Sequence, residues 1–388
     1  MRGHIRERSP GHWSIVLDAR DAAGNRKRRW FSFRGGKREA QRHCAELIAE
    51  TRGGTAASPE RMTAAQYLER WLDHMRPLVS PMTFQRYEQM ARVNLIPLIG
   101  SVPVAKIAPI QISSAYATMI RSGLSPVTIS HAHRLLSQAL KQAVRWRILS
   151  ANPCNDVTPP RVERREMKVW NTQTMAAAID ASRGWQCHVP IVLAALCGMR
   201  LGEIAALRWR YVDLNRGLIA IVESAEQTHA GGARIKPPKS GKGRSVTLPA
   251  LAVTELRAWR ARQAEQFLQL GIRPTEDTRV VTCGDGQPMQ NNSIYHSWVR
   301  FLADCGLPRI RFHDLRHSHA TTLLSSGVHP KVASERLGHA RVGITLDVYS
   351  HVVGNMQDQA AAAIDAAFAE ANGSKAVAIV PFERKKVP

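Results

Sequence analysis

The sequence predicts a multidomain protein, mainly α with small β-sheets (α+β), in three successive parts. Three observations predict this. At 388 residues the chain is longer than one ordinary core requires. Apolar residues alternate near the N-terminus and again between residues 218 and 248, whereas helical spacing prevails elsewhere. The segment ANPCNDVTPPRVERRE at 151–166 has three prolines and no apolar period, which places a boundary between a middle region and a larger one.

The elements follow in order. Trp13, Ile15 and Leu17, then Trp30, Phe31 and Phe33, flank a turn around Gly24 and Asn25, the pattern of a hairpin or a small three-stranded sheet. Ala40, Cys44, Leu47 and Ile48 lie at helical spacing in a helix that Gly53 and Gly54 stop. The four consecutive basic residues at 26–29 suit either a DNA-reading module or a solvated turn. A Gly-, Ala- and Ser-rich linker at 53–59 follows. Thr63 then caps a helix carrying Tyr67, Leu68, Trp71 and Leu72, and Thr83 is expected to cap one carrying Tyr87, Met90 and Val93. After a loop, IPLIGSVPVAKIAP, helices are expected near 110–122 and 126–148, the second opened by Ser125 and Pro126. This makes a four-helix domain whose last helix carries His131, His133, Arg134, Lys141, Arg145 and Arg147, a solvated face or a DNA-facing one.

Beyond the boundary, helices are expected at 172–182, at 189–196 before a break at Cys197-Gly198, and at 201–207. Strands at 218–223 and 244–248 enclose Gly231, Gly232, two prolines and the run KSGKGR, which predicts a hairpin with a mobile tip. Further helices are expected near 250–270, 291–305, 313–326, 330–338, 344–352 and 356–371, before a polar, basic tail.

Composition narrows the partners. With 54 basic against 31 acidic side chains, the net charge of +23 calls for a polyanion, and phosphate backbones bind such an excess through counterion release. No apolar run reaches the roughly 18 residues a membrane span requires, and no N-terminal charged-then-apolar segment signals secretion. A cytoplasmic protein with no membrane partner is expected. Six dispersed cysteines without a C-x-x-C pair point to reduced thiols, not to zinc or disulfides.

Attack on a phosphodiester needs a nucleophile, neutralised oxygens and a proton for the leaving group. Carboxylate clusters that would hold a metal are scarce here, but Arg200 and Arg316 stand in signalled positions, one after a helix break and one a turn beyond His313. A guanidinium forks onto two phosphate oxygens and keeps its charge, so two arginines can take the place of a metal. His313 and Arg316 share a helix face by their spacing of three. His313 and His317, four apart, could bind a metal but lack the intervening Glu of a hydrolase. His339 follows the helix-ending Leu337-Gly338. Tyr349 offers a phenol, which is weakly nucleophilic until its phenolate is stabilised.

Five segments, GMRLGEIAALRW at 198–209, PKSGKGRSVTLP at 238–249, HDLRHSHATTLL at 313–324, LGH at 337–339 and TLDVYSHV at 345–352, resemble in order the boxes of the tyrosine recombinases, the phage integrase family. The resemblance implies an arm-type DNA-binding module at 1–55, a helical core-binding (SAM-like) domain at 60–152, a catalytic domain at 165–371 and a tail at 372–388. It further implies that Tyr349 attacks the scissile phosphate to form a 3′-phosphotyrosyl link. Arg200 and Arg316 would clamp the phosphate, His313 would assist proton transfer and His339 would bind a phosphate oxygen. Lys239 would protonate the 5′-oxygen, with Lys236 and Lys242 as rivals on the same hairpin, and Glu203 would orient the site. No cofactor, metal or ATP is implied. The implied partners are double-stranded DNA at attachment sites, further copies in a tetramer, and accessory DNA-bending or directionality proteins. The implied setting is a bacterial or phage-encoded, DNA-associated protein. The apolar stripe of Ala360 to Ala363, Ile364, Ala367 and Phe368 is expected either to dock on a neighbouring subunit or to pack within its own domain.

Overall fold

The computed structural model describes residues 2–20, 26–52, 62–163, 167–228, 232–239, 241–339, 341–349 and 356–372. The chain divides into two compact units, Met1–Glu163 and Arg164–Pro388.

The first unit opens with an antiparallel sheet, β1 (Arg2–Ser9), β2 (His12–Arg20) and β3 (Arg26–Arg34), in the order β1-β2-β3. The alternation of Trp13, Ile15 and Leu17 puts these side chains on one buried face. Helix α1 (Lys37–Arg52) brings Cys44, Leu47 and Ile48 to the same small core. β1 is a strand that the sequence pattern did not announce, because Arg and Glu occupy much of it and only Ile5 joins the core. The turn around Gly24 and Asn25, and the glycines at 53 and 54, lie outside the described residues.

The helical part comprises α2 (Ala64–Met75), α3 (Pro81–Gln89), α4 (Ile96–Ile99), α5 (Pro109–Arg121) and α6 (Pro126–Arg145). Thr63 caps α2 in a capping box with Gln66, and Ser125 caps α6 with Pro126 behind it, as the sequence suggests. The cap of α3 is Ser80, not Thr83. The Ser80 hydroxyl accepts from the Thr83 amide at 3.3 Å, and Pro81 fills the first position, where its missing N–H costs nothing. Two further expectations are corrected. Met90–Leu95 forms a π-helical segment that turns Val93 outward, and Ile96–Ile99 is helical, not loop. The core joins Tyr67, Trp71, Ile112, Ile129 and Leu136, with the Tyr67 hydroxyl donating to the Ala139 carbonyl.

The second unit is mostly helical: α7 (Thr172–Ala181), α8 (His188–Cys197) and α9 (Leu201–Ala206) precede the strands. Strand β4 (Val212–Asp213) pairs with β5 (Leu218–Ile221). Strands β6 (Ser224–Thr228) and β7 (Gly232–Lys236) form a second hairpin inserted before β8 (Arg244–Thr247), which returns to pair with β5. The expected single hairpin is therefore two, one carried on the other. Helices α10 (Ala250–Gln269), α11 (Asn291–Asp304), α12 (Asp314–Ser325), α13 (Pro330–Leu337), α14 (Val342–Tyr349) and α15 (Met356–Asn372) complete the unit. α8 is buried almost all round, so its sequence is continuously apolar, and it runs through the core beside Trp298, Phe301, Phe312 and Leu315. All six cysteines are free. Among the described residues no helix is long and apolar enough to cross a membrane.

Candidate active site

α8 ends at Gly198, whose φ of +65° is the left-handed turn that releases the chain toward Arg200. A Cβ at Gly198 would meet the His319 ring at 2.7 Å, so glycine is required there on two counts. Arg200 caps α9, and its amide donates to Glu203 Oε2 at 3.0 Å while Nη1 donates to Oε1 at 2.7 Å. Nη2 donates to the Gly338 carbonyl at 2.8 Å, 138 residues away in sequence. A guanidinium has five N–H groups, so these bonds leave part of the fork for an incoming anion.

Arg316 lies in the first turn of α12 and is only 2% exposed. Its two terminal nitrogens donate to the carbonyls of Gly198 and Leu337. The two arginines are thus tied to successive carbonyls, Leu337 and Gly338, immediately before His339. Burial first, and then the charge of Arg200, lower the Arg316 guanidinium below its ordinary range. A phosphodiester would supply the compensating negative charge.

His339 leaves the left-handed turn at Gly338, and its Nδ1 lies 2.8 Å from the Thr345 hydroxyl on α14. Burial and the nearby Arg316 and Arg200 push its pKa down to about 4, so the imidazole is neutral near pH 7. In the tautomer in which the Thr345 hydroxyl donates to Nδ1, Nε2 carries the proton and can donate to a phosphate oxygen. His313 sits exposed at the N-cap of α12, its ring edge-on to His317 with centroids 5.0 Å apart. Desolvation first, then the charges of His317 and Arg316, lower its pKa as well. Between its members stands Asp314, not the glutamate of a hydrolase, and Arg311 holds that carboxylate at 2.8 Å.

Glu203 is 1% exposed and holds both Arg200 and Arg244, the latter through a two-pronged contact at 2.9 and 2.7 Å. Burial alone would raise the carboxyl, but the Arg244 hydrogen bonds and charge, with Arg200, pull it down to about 2. Lys239 stands exposed on the turn between β7 and β8. Lys236, its rival, is engaged by Glu226 in an ion pair. Tyr349 is the last residue of α14; its side chain lies outside what the structure describes.

The structure therefore brings together Arg200, Arg316, His339 and Glu203, with His313 at the head of α12, and leaves Lys239 out on its turn. Sequence reasoning missed Arg244, Arg336 and His319. His319 Nδ1 donates to the Ala195 carbonyl at 2.9 Å, and its Nε2 accepts from Arg336 Nε at 3.2 Å. An available signal was the third histidine of HDLRHSHA, which falls on the buried face of α12.

The sequence profile of the phage integrase family matches residues 169–355, and that of the phage integrase N-terminal SAM-like domain matches 63–120. The ICEBs1 integrase of Bacillus subtilis is 30% identical over 266 residues, covering 68% of this chain and 72% of the relative. A XerC-like tyrosine recombinase of Caldanaerobacter subterraneus subsp. tengcongensis is 26% identical over 359 residues, covering 87% and 91%. In fold, the chain resembles the Tn1549 transposon integrase in complex with a circular intermediate DNA, with a TM-score of 0.66 at 19% identity over 74% of this chain and 95% of that one. It also resembles a lambda integrase dimer bound to a core site, with a TM-score of 0.56 at 15% identity over 89% and 93%. By these matches the chain belongs to the phage integrase family of tyrosine recombinases.

Proposed function

We propose that this chain is a site-specific DNA recombinase that cleaves and rejoins strands through a 3′-phosphotyrosyl intermediate and so integrates or excises a mobile element. The observation that carries the reading is the tying of Arg200 and Arg316 to the consecutive carbonyls of Leu337 and Gly338, directly before His339. Two guanidiniums and a neutral imidazole so arranged suit the non-bridging oxygens of a phosphodiester. A preorganised donor aimed at developing charge is worth about 2.7–4 kcal/mol.

In this reading the Tyr349 oxygen attacks phosphorus while the bond to the 5′-oxygen breaks. His313 assists removal of the phenolic proton, and Lys239 gives a proton to the leaving 5′-oxygen. Arg200, Arg316 and His339 hold the phosphate. The new ester keeps the energy of the old one, so a 5′-hydroxyl from another strand can reverse the attack with no ATP. The arginines take the charge-neutralising part that a metal plays elsewhere.

Residues 1–55 would bind arm-type DNA, 60–152 the core site, and 165–371 would carry catalysis, with 372–388 a tail. The excess of 54 basic over 31 acidic side chains supports a DNA partner. The working assembly would be a tetramer on two attachment sites in the cytoplasm, with accessory DNA-bending or directionality proteins. The exposed stripe on α15 would dock on a neighbouring copy.

The test uses a nicked duplex carrying a site mapped by footprinting on DNA that flanks the gene. Incubated in EDTA, the protein should form an adduct that survives denaturation, and Tyr349→Phe should abolish it. An adduct that requires added metal, or one that persists in Tyr349→Phe, overturns the reading.

A further inference from the structure

We propose that Arg244 is a positioning residue of the strand-cleavage site, an inference that rests on the recombinase reading above. Arg244 opens β8, close behind the turn that carries Lys239. Its side chain is only 9% exposed, and all three of its nitrogens are engaged. Nη1 and Nη2 fork onto the two oxygens of Glu203 at 2.9 and 2.7 Å, and Nε donates to the Arg336 carbonyl at 2.8 Å. With its side chain so enclosed and its fork spent on Glu203, Arg244 acts through what it holds.

What it holds is the first phosphate-facing arginine. The same Glu203 carboxylate receives Arg200 Nη1 at 2.7 Å and the Arg200 amide at 3.0 Å. A continuous line of contacts therefore runs from Arg244 through Glu203 to Arg200 and on to the Gly338 carbonyl. Arg244 shapes the far end of that line as well. Its guanidinium lies over Gly338, where a Cβ would meet Nη1 at 2.9 Å, so the left-handed turn before His339 is moulded against it.

The attachment is reciprocal. Arg244 on β8 donates to the Arg336 carbonyl of α13, and Arg336 Nη1 donates back to the Thr247 carbonyl at the other end of β8, at 3.0 Å. Two arginines thus clasp β8 to α13. The strand leaving the Lys239 turn and the helix leading to His339 are held as one piece, with Glu203 setting Arg200 against both. A lysine at 244 would keep the charge but lose the fork, so the line from Glu203 to Arg200 would slacken.

The experiment measures adduct formation on the nicked site duplex at saturating protein, with DNA affinity and thermal melting measured in parallel. Arg244→Lys should melt cooperatively and bind DNA within about twofold of the unaltered protein, yet form adduct about tenfold more slowly or worse, a fraction of the loss seen when a direct donor is removed. The loss should be shared with Arg200: Arg200→Lys combined with Arg244→Lys should be no slower, within about twofold, than Arg200→Lys alone. A duplex with sulfur replacing the 5′-bridging oxygen needs no proton at its leaving group, so it should leave the Arg244→Lys defect in place. Adduct formation at the unaltered rate, or losses that multiply in the double variant, overturns the proposal. Should Arg244→Lys fail to fold, Glu203→Gln interrupts the same line from its middle and is expected to give the same pattern; an undiminished rate in that variant overturns it equally. Absence of adduct with the unaltered protein is the distinct result that removes the recombinase reading itself, and the proposal with it.

Discussion

Arg200 donates from Nη2 to the carbonyl of Gly338 at 2.8 Å, so the turn before His339 is itself part of the guanidinium cradle. Gly338 has a φ of +64°, a conformation that costs a residue with a Cβ about 1–2 kcal/mol, and Arg244 occupies the space a Cβ would need. Gly338→Ala should therefore lower stability by at least about that amount and slow adduct formation together. Thermal melting and the nicked-duplex assay read both effects. A variant with unchanged melting would show that the turn is not held against Arg244.

Lys239 and Lys242 are both exposed on the connection between β7 and β8, while Lys236 is paired with Glu226. Lys239→Ala should lose most cleavage of an ordinary duplex, because an alkoxide leaving group needs a proton, and general acids contribute about 10²–10⁴-fold. With sulfur at the bridging 5′ position the loss should largely vanish, since a thiol ionises near pKa 8.5 and leaves unaided. Equal loss on both duplexes would assign Lys239 to DNA contact, and rescue of Lys242→Ala instead would move the acid role there.

Much of this organisation was legible from periodicity and punctuation. Gly198 and Gly338 could be read as helix stops, and the residues they release, Arg200 and His339, are the ones that converge. Glu203 could be placed one turn from Arg200. What could not be read is what depends on strands meeting helices far away in sequence. Arg244 looked like the first residue of a strand, and nothing local announces that it reaches Glu203, 41 residues back, and the Arg336 carbonyl, 92 residues on. His319 was hidden for the opposite reason: a histidine on a helix carries no signal until α8 and Arg336 enclose it. The π-helical segment at Met90–Leu95 escaped because a 3.6-residue period leaves no room for an extra residue in the turn, so Val93 was assigned to the wrong face.

His319 gives a prediction with a defined sign. Burial, helped by Arg336, pushes its pKa down to about 4, whereas in the unfolded chain it titrates near its ordinary value of about 6.5. Between those values the unfolded chain binds more protons, so the stability linked to His319 is complete above about pH 6.5 and is lost as pH falls toward 4. In His319→Gln an amide can donate to the Ala195 carbonyl and accept from Arg336 without titrating. Its melting temperature should stay close to the parent at pH 7.5 and fall less steeply on acidification. His339 is also pushed down to about 4 and will leave a residual slope. Parallel curves for parent and variant would exclude the histidine as an acid-sensitive element.

The stripe on α15 poses a choice between packing at home and packing on a neighbour. Ile364 is 58% exposed and Phe368 65% exposed, so among the described residues neither is covered by its own chain. Full burial of such side chains is worth about 1.5–3 kcal/mol each, enough to matter for association when several copies are gathered on one DNA. Removing residues 356–388 should therefore leave the melting temperature of the free protein nearly unchanged. It should weaken the assembly of several copies on a duplex with two sites, read by sedimentation of the DNA complex. Ile364→Ser with Phe368→Ser should reproduce the effect in the full-length chain, without the loss of the basic tail as a confounding change in charge. A complex of undiminished size in both variants would show that the stripe does not join copies.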